Sequence, residues 1–225
     1  MQLNNNISAH LYKPEDRLAV RDISYGTADG GCSAENIFQD REALADFLTL
    51  YYTDYEPRSL WVAEYEGKAV GYLSGCLDSR RYTRVMAWQV LPYVIIIAVL
   101  RGALWRWQTW KLLKAVGWMF CRGQFIRHIS FDKYPAHLHV NVREGFRGKK
   151  VGKYLVERFI SQVKAAGLKG IHLSVHEDNI PAHKFFEHLG FVELSRYPTI
   201  NTSSEHNRIA HAVIYVMDLR NGNPL

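Results

Sequence analysis

The sequence predicts an α/β fold of the α+β kind, a mixed sheet flanked by helices, in one domain over residues 1–225 with a helical insertion at about 78–136. Three observations lead there. Segments with period-two apolar alternation are interleaved with segments of helical periodicity. A basic, glycine-containing turn at residues 143–152 joins a strand to a helix. Finally, 48% hydrophobic residues in a chain of 225 are enough to close a substantial core, which sets intrinsic disorder aside.

Ile7 to Tyr12 reads as a first strand. Lys13-Pro14-Glu15-Asp16 then opens a helix, with proline in its first turn and two acids at the positive end of its dipole, running to about Tyr25. Gly26 to Asn36 is rich in glycine and small polar residues and is expected to be a loop. A second helix, from about Asp40 to Tyr52, places Leu44, Phe47, Leu48 and Tyr51 at helical spacing. Leu60 to Leu77 reads as a hairpin turning at Glu66-Gly67-Lys68. Beyond the insertion, Leu138, Val140 and Val142 alternate as a strand, and Val151, Leu155, Phe159 and Val163 form one face of a helix that Gly167 ends. Ile171, Leu173 and Val175 make the next strand, Pro181 to Leu189 a short helix closed by Gly190, and two strands finish the chain near Phe191–Tyr197 and Ala210–Leu219.

Three cysteines, Cys32, Cys76 and Cys121, are far apart and without CxxC spacing, which suits a reducing compartment better than a disulfide framework or a zinc site, and no metal is expected. The N-terminus lacks the basic start and apolar stretch of a secretory signal, so the expected location is cytoplasmic.

Between the strand ending at Val142 and the helix starting near Val151 lies Arg143-Glu-Gly-Phe-Arg-Gly-Lys-Lys-Val-Gly152. Such a turn aims several backbone N–H groups and a helix N-terminus at one spot, which suits a pyrophosphate. The motif resembles that of the GNAT family of N-acetyltransferases, Arg/Gln-x-x-Gly-x-Gly/Ala after a strand, with Arg147, Lys150, Val151 and Gly152 at the matching positions. Lys150 stands where the first motif glycine is usual. The family's later segment, Asn-x-x-Ala followed by an aromatic and Gly-Phe, is similar to Asn179-Ile-Pro-Ala182, Phe186 and Gly190-Phe191.

The resemblance implies acetyl-CoA, or another acyl-CoA, as co-substrate, held where two parallel strands splay apart. Val140 and Val142 would line the pantetheine, the turn Arg147, Gly148, Lys149, Lys150, Val151 and Gly152 would take the pyrophosphate, and Asn179 and Phe186 would flank the cofactor arm. Asn179 also reads as the cap of the helix that follows. The implied activity is N-acetyl transfer to a primary amine, carried by a small molecule, a peptide or a lipid-linked acceptor, by direct attack in a ternary complex. The family's usual proton donor is a tyrosine four residues after the motif alanine, and that position is Phe186. A non-catalytic acyl-CoA-binding module, acting as a sensor or partner, is the alternative.

Direct attack needs a neutral amine and a proton for the leaving thiolate. His139 and Asn141 share one face of their strand, and His172, Ser174 and His176 share one face of theirs. His139 and His176 are therefore the candidate bases, with Asp178, at the strand end, third.

From Ser79 to Phe131 there is no acidic residue against nine basic ones, although the whole chain carries only +6. Five of the six tryptophans, Trp88, Trp105, Trp107, Trp110 and Trp118, fall there too. The apolar run Val90–Leu100 is eleven residues with a proline inside, short of the roughly 20 that span a bilayer. Two readings stay open: two helices of about fifteen residues that roof the acceptor cleft, or cationic helices, residues 80–127, that lie on an anionic membrane or recognise an acidic or lipid-bearing acceptor. No nucleic-acid reading element is visible. A homodimer is compatible with all of this.

Overall fold

A computed structural model describes residues 7–28, 40–102, 129–199 and 210–220, together with positions 110 and 114. In chain order the elements are β1 (Ile7–Leu11), α1 (Arg17–Thr27), α2 (Arg41–Leu50), β2 (Leu60–Tyr65), β3 (Lys68–Cys76), α3 (Ser79–Leu100), β4 (Ala136–Val142), α4 (Val151–Ala165), β5 (Gly170–His176), α5 (Ile180–His188), β6 (Val192–Thr199) and β7 (Ala210–Asp218). The strands form one seven-stranded sheet in the order β1-β2-β3-β4-β5-β7-β6. Among the described residues only β4 and β5 are parallel; the other neighbours are antiparallel.

Local chemistry explains the boundaries. Glu66 and Gly67 both take positive φ, +50° and +72°, the geometry that matches a two-residue turn to the twist of its strands. The Asp40 carboxylate caps α2 by accepting the Ala43 N–H at 3.1 Å. Gly167 and Gly190 hold φ of +68° and +87° just past α4 and α5, where a left-handed residue releases the chain from the helix. One boundary differs from expectation. Gly26 lies inside α1, which continues to Thr27 because Ile23, Ser24 and Thr27 bury a helical face. Residues 29–36, the rest of the expected loop, lie outside the described residues, as do 37–39.

Helices cover both faces of the sheet. On one, α4 buries Val151, Leu155, Val156, Phe159, Ile160 and Val163 against Leu73, Leu138, Ile171 and Leu173. Each such side chain contributes about 1.5–3 kcal/mol through the water it leaves. The approach is close: a Cβ on Gly75 of β3 would sit 2.1 Å from the Phe159 ring. On the other face, Val20 and Ile23 of α1 meet Tyr51, Tyr52, Tyr72, Cys76 and three valines of α3, Val85, Val90 and Val94.

Helix α3 corrects the expected length of the insertion's first helix. It runs for 22 residues, through Pro92, and by length and composition could cross a bilayer. Continuity has a cause: Met86–Val90 form a π-helical turn in which the Leu91 N–H reaches the Met86 carbonyl five residues back, and Pro92 follows at a position where a missing N–H is tolerated. The second expected helix falls in 103–128, outside the described residues except Trp110 and Lys114.

Candidate active site

The site begins where β4 and β5 part. Their parallel ladder consists of two pairs, Ala136↔Ile171 and His137↔His172, and the strands diverge beyond them. Each stays paired on its outer edge, β4 with β3 through Val142 and β5 with β7 through His176. The carboxyl ends of neighbouring parallel strands thus open a crevice in a rigid sheet, a usual place for a ligand.

At one end of the crevice stands the N-terminus of α4. Gly148 and Lys150 both adopt the left-handed conformation, φ +74° and +65°, and among the described residues no side chain caps the helix. The first N–H groups of a helix have no partner within it, so an uncapped start presents donors and the positive end of the dipole to an anion. Lys150 holds the conformation for which glycine is usual, at a cost of about 1–2 kcal/mol. The Arg147 Nε donates to the Val142 carbonyl at 3.1 Å, pinning the turn to the strand end, and the Lys149 ammonium lies 4.8 Å from the centre of the Phe146 ring. A Cβ on Gly152 would meet Phe185 at 3.3 Å, so glycine there lets α4, α5 and the end of β4 converge. These features fit a pyrophosphate-bearing ligand. Val140 and Val142 are half-buried on the α4 side of the sheet, and the Asn179 side chain caps α5 by accepting the Ala182 N–H at 3.2 Å.

Alternation along the strands puts His137, His139 and Asn141 of β4, and His172, Ser174 and His176 of β5, on the face opposite α4; the rings of His137 and His172 lie 5.5 Å apart. The two closest to the ladder are structural. His137 is buried, with Nδ1 2.8 Å from the Ser79 hydroxyl and Nε2 3.1 Å from the Tyr52 hydroxyl. Ser79 donates its proton to the Pro135 carbonyl at 2.6 Å, so it accepts from Nδ1–H and the Tyr52 hydroxyl donates to Nε2. His172 is also buried and donates from Nδ1 to the Tyr134 carbonyl at 2.9 Å. Both histidines brace the closed end of the crevice.

Further out the groups are open. His139 is exposed, past the last ladder pair. Asn141 is held by donating to the Tyr72 hydroxyl at 2.9 Å, with the Thr27 hydroxyl 3.1 Å from its carbonyl oxygen. His176 accepts the Asp178 N–H on Nδ1 at 3.4 Å, which leaves the proton on Nε2, and that atom is buried with no hydrogen-bond partner among the described residues. The Asp178 carboxylate is exposed, 3.7 Å from His176 Nδ1.

Phe186 is buried in the α4-side core, 5.0 Å from Phe185 and 5.6 Å from Phe191 between ring centres. It is Phe185, not Phe186, that reaches Gly152. The tyrosines on the opposite face keep their protons: burial raises Tyr52 well above its ordinary range, and burial, partly countered by hydrogen bonds from Ser24 and Asn141, pushes Tyr72 up to about 12. Burial, reinforced by Glu56, raises the Cys76 thiol, so it is a poor nucleophile.

Two arrangements escaped the sequence reading. The Tyr52–His137–Ser79 chain joins positions 85 and 58 residues apart, for which no local pattern exists. In α5, His183 is bonded through Nδ1 to the Tyr215 hydroxyl at 2.9 Å, through Nε2 to the His176 carbonyl at 3.1 Å, and Tyr215 donates to Glu187 at 2.9 Å. The helical spacing of His183 and Glu187 was the available signal for that clamp on the end of β5.

Known proteins share this architecture. One solved structure, named SsHAT, superposes with a TM-score of 0.68 at 23% identity, covering 95% of this chain and 98% of its own. An N-acetyltransferase from Staphylococcus aureus Mu50 gives 0.59 at 14% identity, covering 96% and 99%. The protein yncA from Salmonella typhimurium, solved with its cofactor acetyl-CoA, gives 0.59 at 13% identity, covering 98% of both chains. At these identities the likeness establishes the fold. Residues 32–191, which include the splayed strands, the left-handed turn and α5, match the acetyltransferase (GNAT) family model, and the chain belongs to that family.

Proposed function

We propose that the protein transfers an acetyl group from acetyl-CoA to a primary amine by direct attack in a ternary complex. The observation that carries this reading is the coincidence, in one crevice, of the β4–β5 splay with an uncapped helix start whose turn holds Gly148 and Lys150 left-handed. Acetyl-CoA supplies the activated acyl group. The N–H groups of Val151, Gly152 and Lys153, with Lys149 and Lys150, bind the pyrophosphate. The β4 backbone around Val140–Val142 orients the thioester and stabilises charge developing on its oxygen. His139, exposed on the open face, takes the amine's proton directly or through water. His176, whose Nε2–H has no partner among the described residues, donates a hydrogen bond to the departing sulfur, with the Asp178 N–H orienting its ring, and the thiolate takes its proton from the His139 imidazolium through water.

A second reading, an acyl-CoA-binding module without turnover, is favoured by one observation: the usual acid position is Phe186, a core residue. Release of free thiol from acetyl-CoA, followed against a panel of amines, decides between them. Amine-dependent release that falls in His139→Ala supports the transferase. Tight binding with no release from any amine supports the module, and no binding of acetyl-CoA removes both.

A further inference from the structure

We propose that α3 is a membrane-docking element whose outward face lies in the interfacial zone of an anionic phospholipid bilayer. The face is strongly apolar. From Ala87 to Leu100 its exposed positions include Trp88, Leu91, Tyr93, Ile95, Ile96, Val99 and Leu100, with Gln89 the one exposed residue carrying an amide. Trp88 is 79% exposed, Ile96 58% and Leu100 77%. Isolated surface apolar residues are ordinary, but a contiguous helical face of them marks a binding site.

The occupant follows from charge. Exposed arginines bracket the face, Arg80, Arg81 and Arg84 before it and Arg101 after it, Arg80 being paired with Asp132 and Arg101 with Asp40, and the whole of 79–131 has nine basic residues and no acid. A second copy of this chain would set two such cationic segments against each other, which disfavours self-association through the face. An anionic bilayer accepts both parts, hydrocarbon below and phosphate beside the arginines. Tryptophan and tyrosine, here Trp88, Tyr93 and the 55% exposed Trp110, favour that interfacial depth. The helix lies along the surface and does not cross, although its length would allow crossing, because Val85, Val90 and Val94 are locked into the core against α1, Tyr51 and Tyr52.

Flotation of the full-length protein with phosphatidylcholine vesicles, with and without phosphatidylglycerol, tests this. The expected result is binding to the anionic vesicles that salt weakens, and at least about tenfold weaker partition for Trp88→Ser/Ile95→Ser/Ile96→Ser. All three positions are exposed, so the melting temperature and acetyl-CoA affinity of the variant stay at parental values; the single Ile96→Glu variant serves if the triple one is poorly folded. The proposal is overturned if the parent does not float with anionic vesicles or if the apolar-face variants float as well as the parent. It is equally overturned if the parent is a dimer that these variants dissociate, since a second copy then covers the face.

Discussion

The two faces of the sheet are packed by different chemistry. Against α4, the interface is hydrocarbon: Leu155, Val156, Phe159 and Val163 are wholly buried against strand side chains of the same kind. Against α1, α2 and α3, it is interleaved with hydroxyl, imidazole and amide groups, where Tyr52 and Ser79 hold His137 and where Tyr72 holds Asn141. The first face supplies stability that depends on shape and buried area. The second leaves each polar group dependent on a partner, and those partners fix the strand from which His139 projects. The hydrocarbon core thus lies on one side of β4, and the chemistry proposed for His139 on the other.

The substitution that most damages the hydrocarbon face is Phe159→Ala, expected to lower unfolding free energy in urea by about 3–5 kcal/mol while the folded fraction keeps its acetyl-CoA affinity. On the opposite face, His139→Ala is expected to reduce amine-dependent thiol release by about 10²–10⁴-fold with stability changed by less than about 0.5 kcal/mol, because the residue is exposed. A variant equally active, or one that unfolds, contradicts that division of roles. Tyr52→Phe removes the donor to a buried His137 nitrogen and is expected to cost about 1–3 kcal/mol in the same urea assay.

The two faces should share an alkaline sensitivity, through Tyr72 on the polar face and Tyr215 on the α4 side. Tyr72, with an ordinary value of 10.0, is pushed up to about 12 by burial, so its contribution to stability is complete below pH 10 and is lost as pH rises through about 12. Tyr215 behaves alike, through burial and then Glu187. Thermal melts between these values should fall with rising pH, and Tyr72→Phe should flatten the slope without abolishing it. The smallest effect expected is a gain: Lys150→Gly relieves a left-handed non-glycine residue and adds about 1 kcal/mol.

Much of the scaffold was legible because it is local. Val151, Leu155, Phe159 and Val163 repeat with the helix, Leu138, Val140 and Val142 with the strand, and Glu66-Gly67 turns the hairpin. The basic, glycine-containing turn was legible in composition, but its conformation at Lys150 was not, because a lysine gives no sign of positive φ. Gly26 misled in the opposite direction, its flexibility outweighed by the burial of Ile23 and Thr27. The length of α3 was not legible either, because the π-helical turn that carries it on to Pro92 has no sequence signal. In the candidate site, alternation put His139 with Asn141 on one face of β4 and His176 with His172 and Ser174 on one face of β5, while the common side of the sheet they take depends on the fold. The splay that opens between them, and the bracing of His137 by Tyr52 and Ser79, depend on contacts distant in sequence.

The most direct test of the central claim is a calorimetric comparison of acetyl-CoA with S-acetylpantetheine, which lacks the pyrophosphate and nucleotide, on the parent protein and on Gly152→Trp. Acetyl-CoA is expected to bind the parent at least about tenfold more tightly than the truncated thioester, because its phosphates meet the start of α4, and this advantage is expected to disappear in the variant. Equal affinities for the two thioesters in the parent, or an undiminished advantage in a folded Gly152→Trp protein, would contradict the placement of the acyl donor in the β4–β5 crevice.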